Sequence, residues 1–115
     1  MPSFNPDHKL VLDEMLLTHP LVHPGKMFGF PAYFVGKKLC ACLYEQGVGI
    51  KLPGETAARL LHDDPNVIPF EPYGRRKMRS WVQINLTRSE EYRQYIAVFE
   101  ESIQHVHNQE ENVDG

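Results

Sequence analysis

Cysteine is scarce in this sequence, since only Cys40 and Cys42 occur among 115 residues. Residues two apart in a strand point to the same face, but a pair so close along the chain rarely forms an unstrained disulfide. The spacing argues against a small secreted domain held together by disulfide bonds. It favours a protein that keeps its thiols reduced, as in the cytoplasm.

Long apolar runs are also missing. No run approaches the roughly 18 residues of a membrane-spanning helix. The start of the chain, MPSFNPDHKL, lacks the apolar core of a signal peptide. We therefore expect a soluble, cytoplasmic protein with no membrane partner.

Positive charge is not in excess. The chain has 12 Lys and Arg against 15 Asp and Glu, which gives a net charge of −3 and a pI near 6.0. A chain with this balance has no general attraction to nucleic acid or to anionic membranes, so any such attraction has to be local.

What is present is the composition of an ordinary globular domain. Hydrophobic residues make up 42% of the chain and charged residues 23%. A chain of this length buries enough surface to fold without disulfides or metals. We predict one domain over residues 1–107, followed by a disordered acidic tail over residues 108–115.

Helix signals occur in three places. Asn5-Pro6-Asp7 is typical of a helix start, and apolar residues follow at helical spacing up to residue 17. Residues 54–64 have the composition of a second helix. Thr87 to Glu90 fits a capping box, and a helical apolar stripe continues from Tyr92 to Val106.

Strand signals fill the rest of the chain. His23-Pro24-Gly25 indicates a break, and three strands follow from Lys26 with turn signals at Gly36-Lys37 and Gln46-Gly47. Two further strands are predicted in VIPFEPYG and RSWVQINL. The pattern predicts an α+β fold: a single antiparallel five-stranded sheet packed with helices, in the order α-β-β-β-α-β-β-α.

Two segments resemble a known family. KMFGFPAYFVGKKLCACLYEQGVGIKLP resembles the signature of the TfoX N-terminal domain and its relatives, the YjbR (MmcQ)-like proteins. It shares their M-F-G entry at Met27-Phe28-Gly29, their G-K turn at Gly36-Lys37 and a strand ending in Ile50-Lys51-Leu52. In PFEPYGRRKMRSWVQI the positions that match the family's later strand pair are Pro69, Phe70, Lys77, Trp81 and Ile84.

The resemblance covers about residues 8 to 105, and it implies the α+β fold and a link to regulation or nucleic acid. It implies no catalytic residues. One position departs from the family pattern, because Phe30 stands where a second glycine often follows M-F-G.

No residue pattern indicates catalysis or metal binding. Of the six histidines, His105 and His107 are two apart on a predicted helix, whereas side chains that share a helical face are three or four apart. The C-x-C of Cys40 and Cys42 is not the usual zinc spacing, and no second cysteine pair exists. No Ser or Cys lies in a nucleophile motif. We expect no metal, no cofactor and no catalytic residue.

The strongest local anomaly is PYGRRKMRSW, predicted as the turn between the last two strands. Four basic residues fall within five positions, namely Arg75, Arg76, Lys77 and Arg79. One hypothesis is a nucleic-acid contact in which they meet phosphates. The alternative is a solvated turn whose arginines pair with acidic groups such as Glu71.

Both faces of the predicted sheet carry apolar residues. Cys40, Cys42 and Tyr44 are predicted to share one face, with Trp81 nearby. This face is a candidate surface for a ligand, a homodimer or another protein partner. The alternative is that helices and loops cover both faces.

These features favour a small non-enzymatic binding or accessory regulatory domain that resembles the TfoX N-terminal domain. Two other hypotheses stand beside it. One is a nucleic-acid-binding protein that uses residues 75–79, and the other is an enzyme or small-ligand binder with a pocket near Trp81.

Overall fold

The computed structural model describes residues 3–72 and 80–111, with side chains described as far as Gln109. These residues form an α+β arrangement in which helices pack on an antiparallel sheet. In chain order the elements are α1 (Pro6–Leu16), β1 (Val22–Met27), β2 (Phe30–Val35), β3 (Lys38–Tyr44), β4 (Gly47–Lys51), α2 (Gly54–Asp63), β5 (Val67–Pro69), β6 (Trp81–Ile84), a 3₁₀ segment (Ser89–Tyr95) and α3 (Ile96–Glu111).

Helix α1 begins where the sequence predicts. The side chain of Asn5 accepts hydrogen bonds from the backbone N–H of Asp7 at 2.9 Å and of His8 at 3.3 Å, which satisfies two of the free donors at the helix start. The helix buries Leu12 and Leu16 against the sheet. Leu10 points away from the core and is 63% exposed.

The sheet has six strands in the order β1-β2-β3-β4-β6-β5, so the predicted five strands and their element order are wrong. The additional strand is β1, which contains the Pro24-Gly25 pair that the sequence marks as a break. Because β1 is an edge strand, a proline there need not remove a hydrogen bond from the ladder. The chain reverses at Phe28 and Gly29, whose φ angles of 51° and 87° are the left-handed values that a two-residue hairpin requires.

A β-bulge separates the two cysteines. Tyr33 pairs with Ala41 and Phe34 pairs with Leu39, so Cys40 is the extra residue of β3. The bulge interrupts the alternation of side chains between the faces. Cys40 packs in the cluster under the helices, and Cys42 packs on the opposite face. The prediction that the two cysteines share a face is therefore wrong.

Both faces of the sheet are packed. The main core lies between the sheet and the helices and includes Leu12, Val48, Ile50 and Phe99. We call the smaller group on the other face the aromatic cluster. It consists of Phe30, Ala32, Cys42, Tyr44, Phe70 and Trp81, all at most 7% exposed.

The last helical region differs from its prediction at both ends. The 3₁₀ segment has Arg88 at its N-cap, with no side-chain hydrogen bond at the cap, so the predicted capping box does not form. Glu90 binds the Arg93 side chain instead of the backbone. The boundary predicted at residue 107 falls inside α3, which continues to Glu111.

Candidate functional site

The predicted ligand or partner face is the aromatic cluster. The Tyr44 ring lies 4.9 Å from the Phe30 ring and meets the Phe70 ring edge-on at 5.5 Å. The Phe70 ring in turn lies 5.5 Å from that of Trp81. Such pairs add about 0.5–1.5 kcal/mol each beyond the area they bury. The structure thus brings Tyr44, Cys42 and Trp81 together but leaves Cys40 on the other side of the sheet.

The Phe70 ring packs closely against Gly49 of β4. A Cβ atom on Gly49 would come within 2.9 Å of the Phe70 ring, which real side chains do not tolerate. Burial raises the pKa of the Cys42 thiol to about 12, so at neutral pH the thiol is protonated and unreactive. This part of the aromatic cluster is packed interior.

The basic residues Arg75, Arg76, Lys77 and Arg79 lie outside the described residues. Both flanks of their segment are described. Pro69 pairs with Val82 across β5 and β6, and the N–H of Leu52 donates to the carbonyl of Ser80 at 2.8 Å. The segment therefore leaves and rejoins the sheet at the end where β4 finishes.

Other lysines occupy that same end of the sheet. Lys51 lies directly across from Trp81 in the β4–β6 pair. Lys37 lies in the turn between β2 and β3, and Lys38 is the first residue of β3. Because β3 runs antiparallel to β4, both lysines lie at the end where β4 finishes. Lys37, Lys38 and Lys51 therefore lie at the same end of the sheet as the two points where the basic segment joins it.

An open groove lies between α1 and the residues at the start of the 3₁₀ segment. We call it the α1 groove, and its volume is about 500 Å³. The exposed side chain of Leu10 is the large apolar group in its wall. The groove is lined by Asn5, Asp7, Leu10, Val11, Glu14, Thr87, Arg88, Ser89 and Glu90.

Acidic side chains predominate around the α1 groove. Asp7, Glu14 and Glu90 contribute three carboxylates to the lining, against the one guanidinium of Arg88. Arg93 bridges two of these carboxylates, since its Nε donates to Glu90 at 2.7 Å and its Nη2 donates to Glu14. This ion pair links α1 to the 3₁₀ segment.

A buried histidine lies behind the groove. His8 is 1% exposed, and its Nδ1 shares a 2.6 Å hydrogen bond with Oγ of Ser89, which lines the groove. The ring also meets Tyr92 edge-on at 4.7 Å. The His8–Ser89 bond joins residues that are far apart in the sequence and holds α1 against the 3₁₀ segment.

The other ring nitrogen of His8 is less well satisfied. Its Nε2 atom is buried and has no hydrogen-bond partner within residues 3–72 and 80–109. The backbones of Gln46 and Leu86 lie close enough to the ring to favour its protonated form, and they oppose the effect of burial on the pKa. Burial prevails and lowers the pKa of His8, so the ring is neutral at neutral pH.

The two walls of this groove contain Asn5 and the Thr87–Glu90 segment. The residue types of each predict a helix start separately. Nothing local says that these starts lie side by side, because tertiary packing brings them together. The signal in the sequence that could have pointed to His8 is its helical spacing with Val11 and Leu12, which places a histidine on the apolar face of the predicted helix.

No protein-family model, no curated protein and no solved structure matches this chain. Within the described ranges, no helix has the length and apolar character needed to cross a bilayer. The same residues contain no group of three His, Cys, Asp or Glu side chains that could hold a metal ion.

Proposed function

We propose that this chain is a small binding domain of the accessory, regulatory kind, which acts by binding a partner and not by catalysis. The resemblance of its strand segments to the TfoX N-terminal domain supports this class. A cytoplasmic location is part of the proposal and is supported by the close spacing of Cys40 and Cys42, which disfavours a disulfide. The α1 groove is the proposed binding surface.

The observation that carries the proposal is the position of Leu10. This side chain is 63% exposed in the wall of a groove of about 500 Å³. The other residues that line the groove are mostly polar or charged, so the apolar side chain of Leu10 is surrounded by a polar rim. Protein-binding sites commonly combine an apolar centre with a polar rim in this way.

Selection from a random peptide library tests the proposal. Peptides of roughly twelve residues, at about 3.3 Å per extended residue, are longer than the groove wall between Asn5 and Glu14. We expect enriched peptides to bind the wild-type chain and to lose binding to Leu10→Glu. The matched control is Leu61→Glu, because Leu61 is also exposed, at 38%, but belongs to α2. No enrichment, or enriched peptides that bind Leu10→Glu as well as wild type, would refute the proposed function.

A second candidate function is nucleic-acid binding at the opposite end of the sheet. It is favoured by Lys37, Lys38 and Lys51, which lie at the end where the segment carrying Arg75, Arg76, Lys77 and Arg79 joins the sheet. Phosphate contacts from several cations make binding steeply salt-dependent.

Titration with duplex and single-stranded DNA at several salt concentrations tests this second function. We expect binding at low salt that weakens in Arg75→Ala/Arg76→Ala and in Lys51→Gln. Arg59→Gln is the control, since Arg59 is an exposed cation on α2. Binding that is absent at low salt, or that all variants retain equally, would rule the second function out.

A further inference from the structure

The charge of the α1 groove indicates what kind of segment it binds. Its lining has three carboxylates, on Asp7, Glu14 and Glu90, and one cation, on Arg88. These groups surround the exposed side chain of Leu10. An apolar side chain that covers Leu10 would bring its neighbours along the chain close to the carboxylates. Positive neighbours are favoured there, and negative ones are repelled.

The protein itself shows which group the carboxylates accept. The guanidinium of Arg93 lies between Glu14 and Glu90 and donates to both. This arginine is 43% exposed, and its two partners are 66% and 71% exposed. The pairs are therefore open to solvent and to exchange with an incoming cation, because exposed ion pairs contribute little stability.

The dimensions limit the ligand to a short segment. The lining residues of α1 run from Asn5 to Glu14, and nine steps of about 1.5 Å make a wall roughly 13 Å long. About four residues of extended chain cover that distance. The groove is open along its side, so a segment inside a longer chain could enter without a free terminus.

We propose that the α1 groove binds a short protein segment in which one apolar side chain is flanked by lysine or arginine. The apolar side chain packs on Leu10, and a flanking cation binds Glu14 and Glu90 in competition with Arg93. This inference rests on the proposed function, since it names the partner of the same groove.

The sequences enriched from the peptide library form the first part of the test. We expect an apolar residue with Lys or Arg within two or three positions on either side. Enriched peptides that need Leu10 but carry no basic residues, or carry acidic ones, would overturn this inference while leaving the proposed function intact. If no enriched peptide depends on Leu10 for binding, the proposed function itself is refuted.

Charge variants form the second part and use the strongest basic peptide from the selection. Glu14→Gln removes one negative charge and should weaken binding about two- to fivefold, whereas Arg93→Gln frees both carboxylates and should strengthen binding by a similar factor. Glu100→Gln is the control, because Glu100 is an exposed carboxylate on α3. A general charge effect also gives these two variants opposite signs, so competition requires Arg93→Gln to strengthen binding more than Arg59→Gln, which removes an exposed cation on α2.

The thermal unfolding midpoint of each variant shows whether the groove is still formed. If Arg93→Gln lowers the midpoint strongly, Arg93→Lys is measured beside it. This variant retains the cation and should bind the peptide like wild type. Equal weakening by Glu14→Gln and Glu100→Gln would show a non-specific charge effect and would contradict the proposal. Weakened binding in a well-folded Arg93→Gln variant would contradict it as well.

Discussion

Replacing Phe70 with alanine should open the aromatic cluster and leave the main core closed. Phe70 is 1% exposed, and its ring contacts those of Tyr44 and Trp81. A buried Phe→Ala change costs about 3–5 kcal/mol because of lost burial and the cavity that remains. Urea unfolding followed by circular dichroism measures that loss.

Thiol labelling then shows where the structure has opened. The pKa of Cys42 is about 12 in the folded chain, against 9.0 for a free thiol. At pH 8 the exposed thiol would carry about a thousand times more thiolate, which is the reactive form. We expect Phe70→Ala to speed the labelling of Cys42 by up to this factor in a Cys40→Ala background. In a Cys42→Ala background, Cys40 should remain protected.

Phe99→Ala is the matched control for this experiment. Phe99 is also 1% exposed but belongs to the main core, so it should cost similar stability while Cys42 keeps the protection that its own cluster provides. Labelling through global unfolding would affect both variants alike. Equal acceleration of Cys40 and Cys42 in Phe70→Ala would show that the two faces are not separate packing units, and no acceleration of either would show that Phe70 does not protect Cys42.

Three further predictions concern stability. Because burial lowers the pKa of His8 in the folded state, the unfolded chain binds a proton at His8 more readily, so the free energy of unfolding should fall as the pH drops below the ordinary histidine value of 6.5. His8→Asn should flatten this part of the pH profile, and an unchanged slope would show that His8 is not the group responsible. The hydroxyl of Tyr33 donates to Asp13 at 2.6 Å. Urea unfolding should show that Asp13→Ala, which leaves this hydroxyl without its acceptor, costs about 1–3 kcal/mol and that Tyr33→Phe costs less, whereas the reverse order would argue against the bond. Gly49→Ala should cost about 1–3 kcal/mol through the clash with the Phe70 ring, with a change in Trp81 fluorescence, and a neutral effect would mean that the ring can move aside.

The elements that sequence reasoning predicted well are those determined by local signals. The Asn5 cap specifies its helix start by its own hydrogen bonds. The alternation of Val48, Ile50 and Leu52 places all three in the main core, because a strand with one buried face shows a period of two. In α3, Phe99 follows the same logic with the helical period.

The errors arise where non-local packing overrides a local signal. Pro24-Gly25 has the composition of a break, but β2 supplies a partner that turns it into an edge strand. The bulge inserts Cys40 into β3 without any change in composition. The alternation of the surrounding residues therefore predicts the wrong face of the sheet for the Cys40 side chain. A capping box at Thr87 is outweighed by the contacts that Ser89 makes with His8 and that Glu90 makes with Arg93.

The candidate site was harder to predict than the fold. The α1 groove joins residues from the first fourteen positions to residues 87–90, and no pattern along the chain relates the two. Its most informative feature is the exposed side chain of Leu10, which the sequence does not distinguish from the other apolar residues of the same helix. The burial of the aromatic cluster was equally hidden, because Phe70 covers the sheet from outside the regular alternation.

The two outer strands determine how this sheet can meet other chains. In β1 the N–H of Val22 is already bound by the carbonyl of His19 at 3.1 Å, and Pro24 has no N–H to offer. At the other edge, β5 is only three residues long and ends in Pro69. Strand addition requires a row of free backbone donors. The described edge strands, β1 and β5, are therefore poor templates for another strand, so crowding should not drive growth of the sheet at either of them.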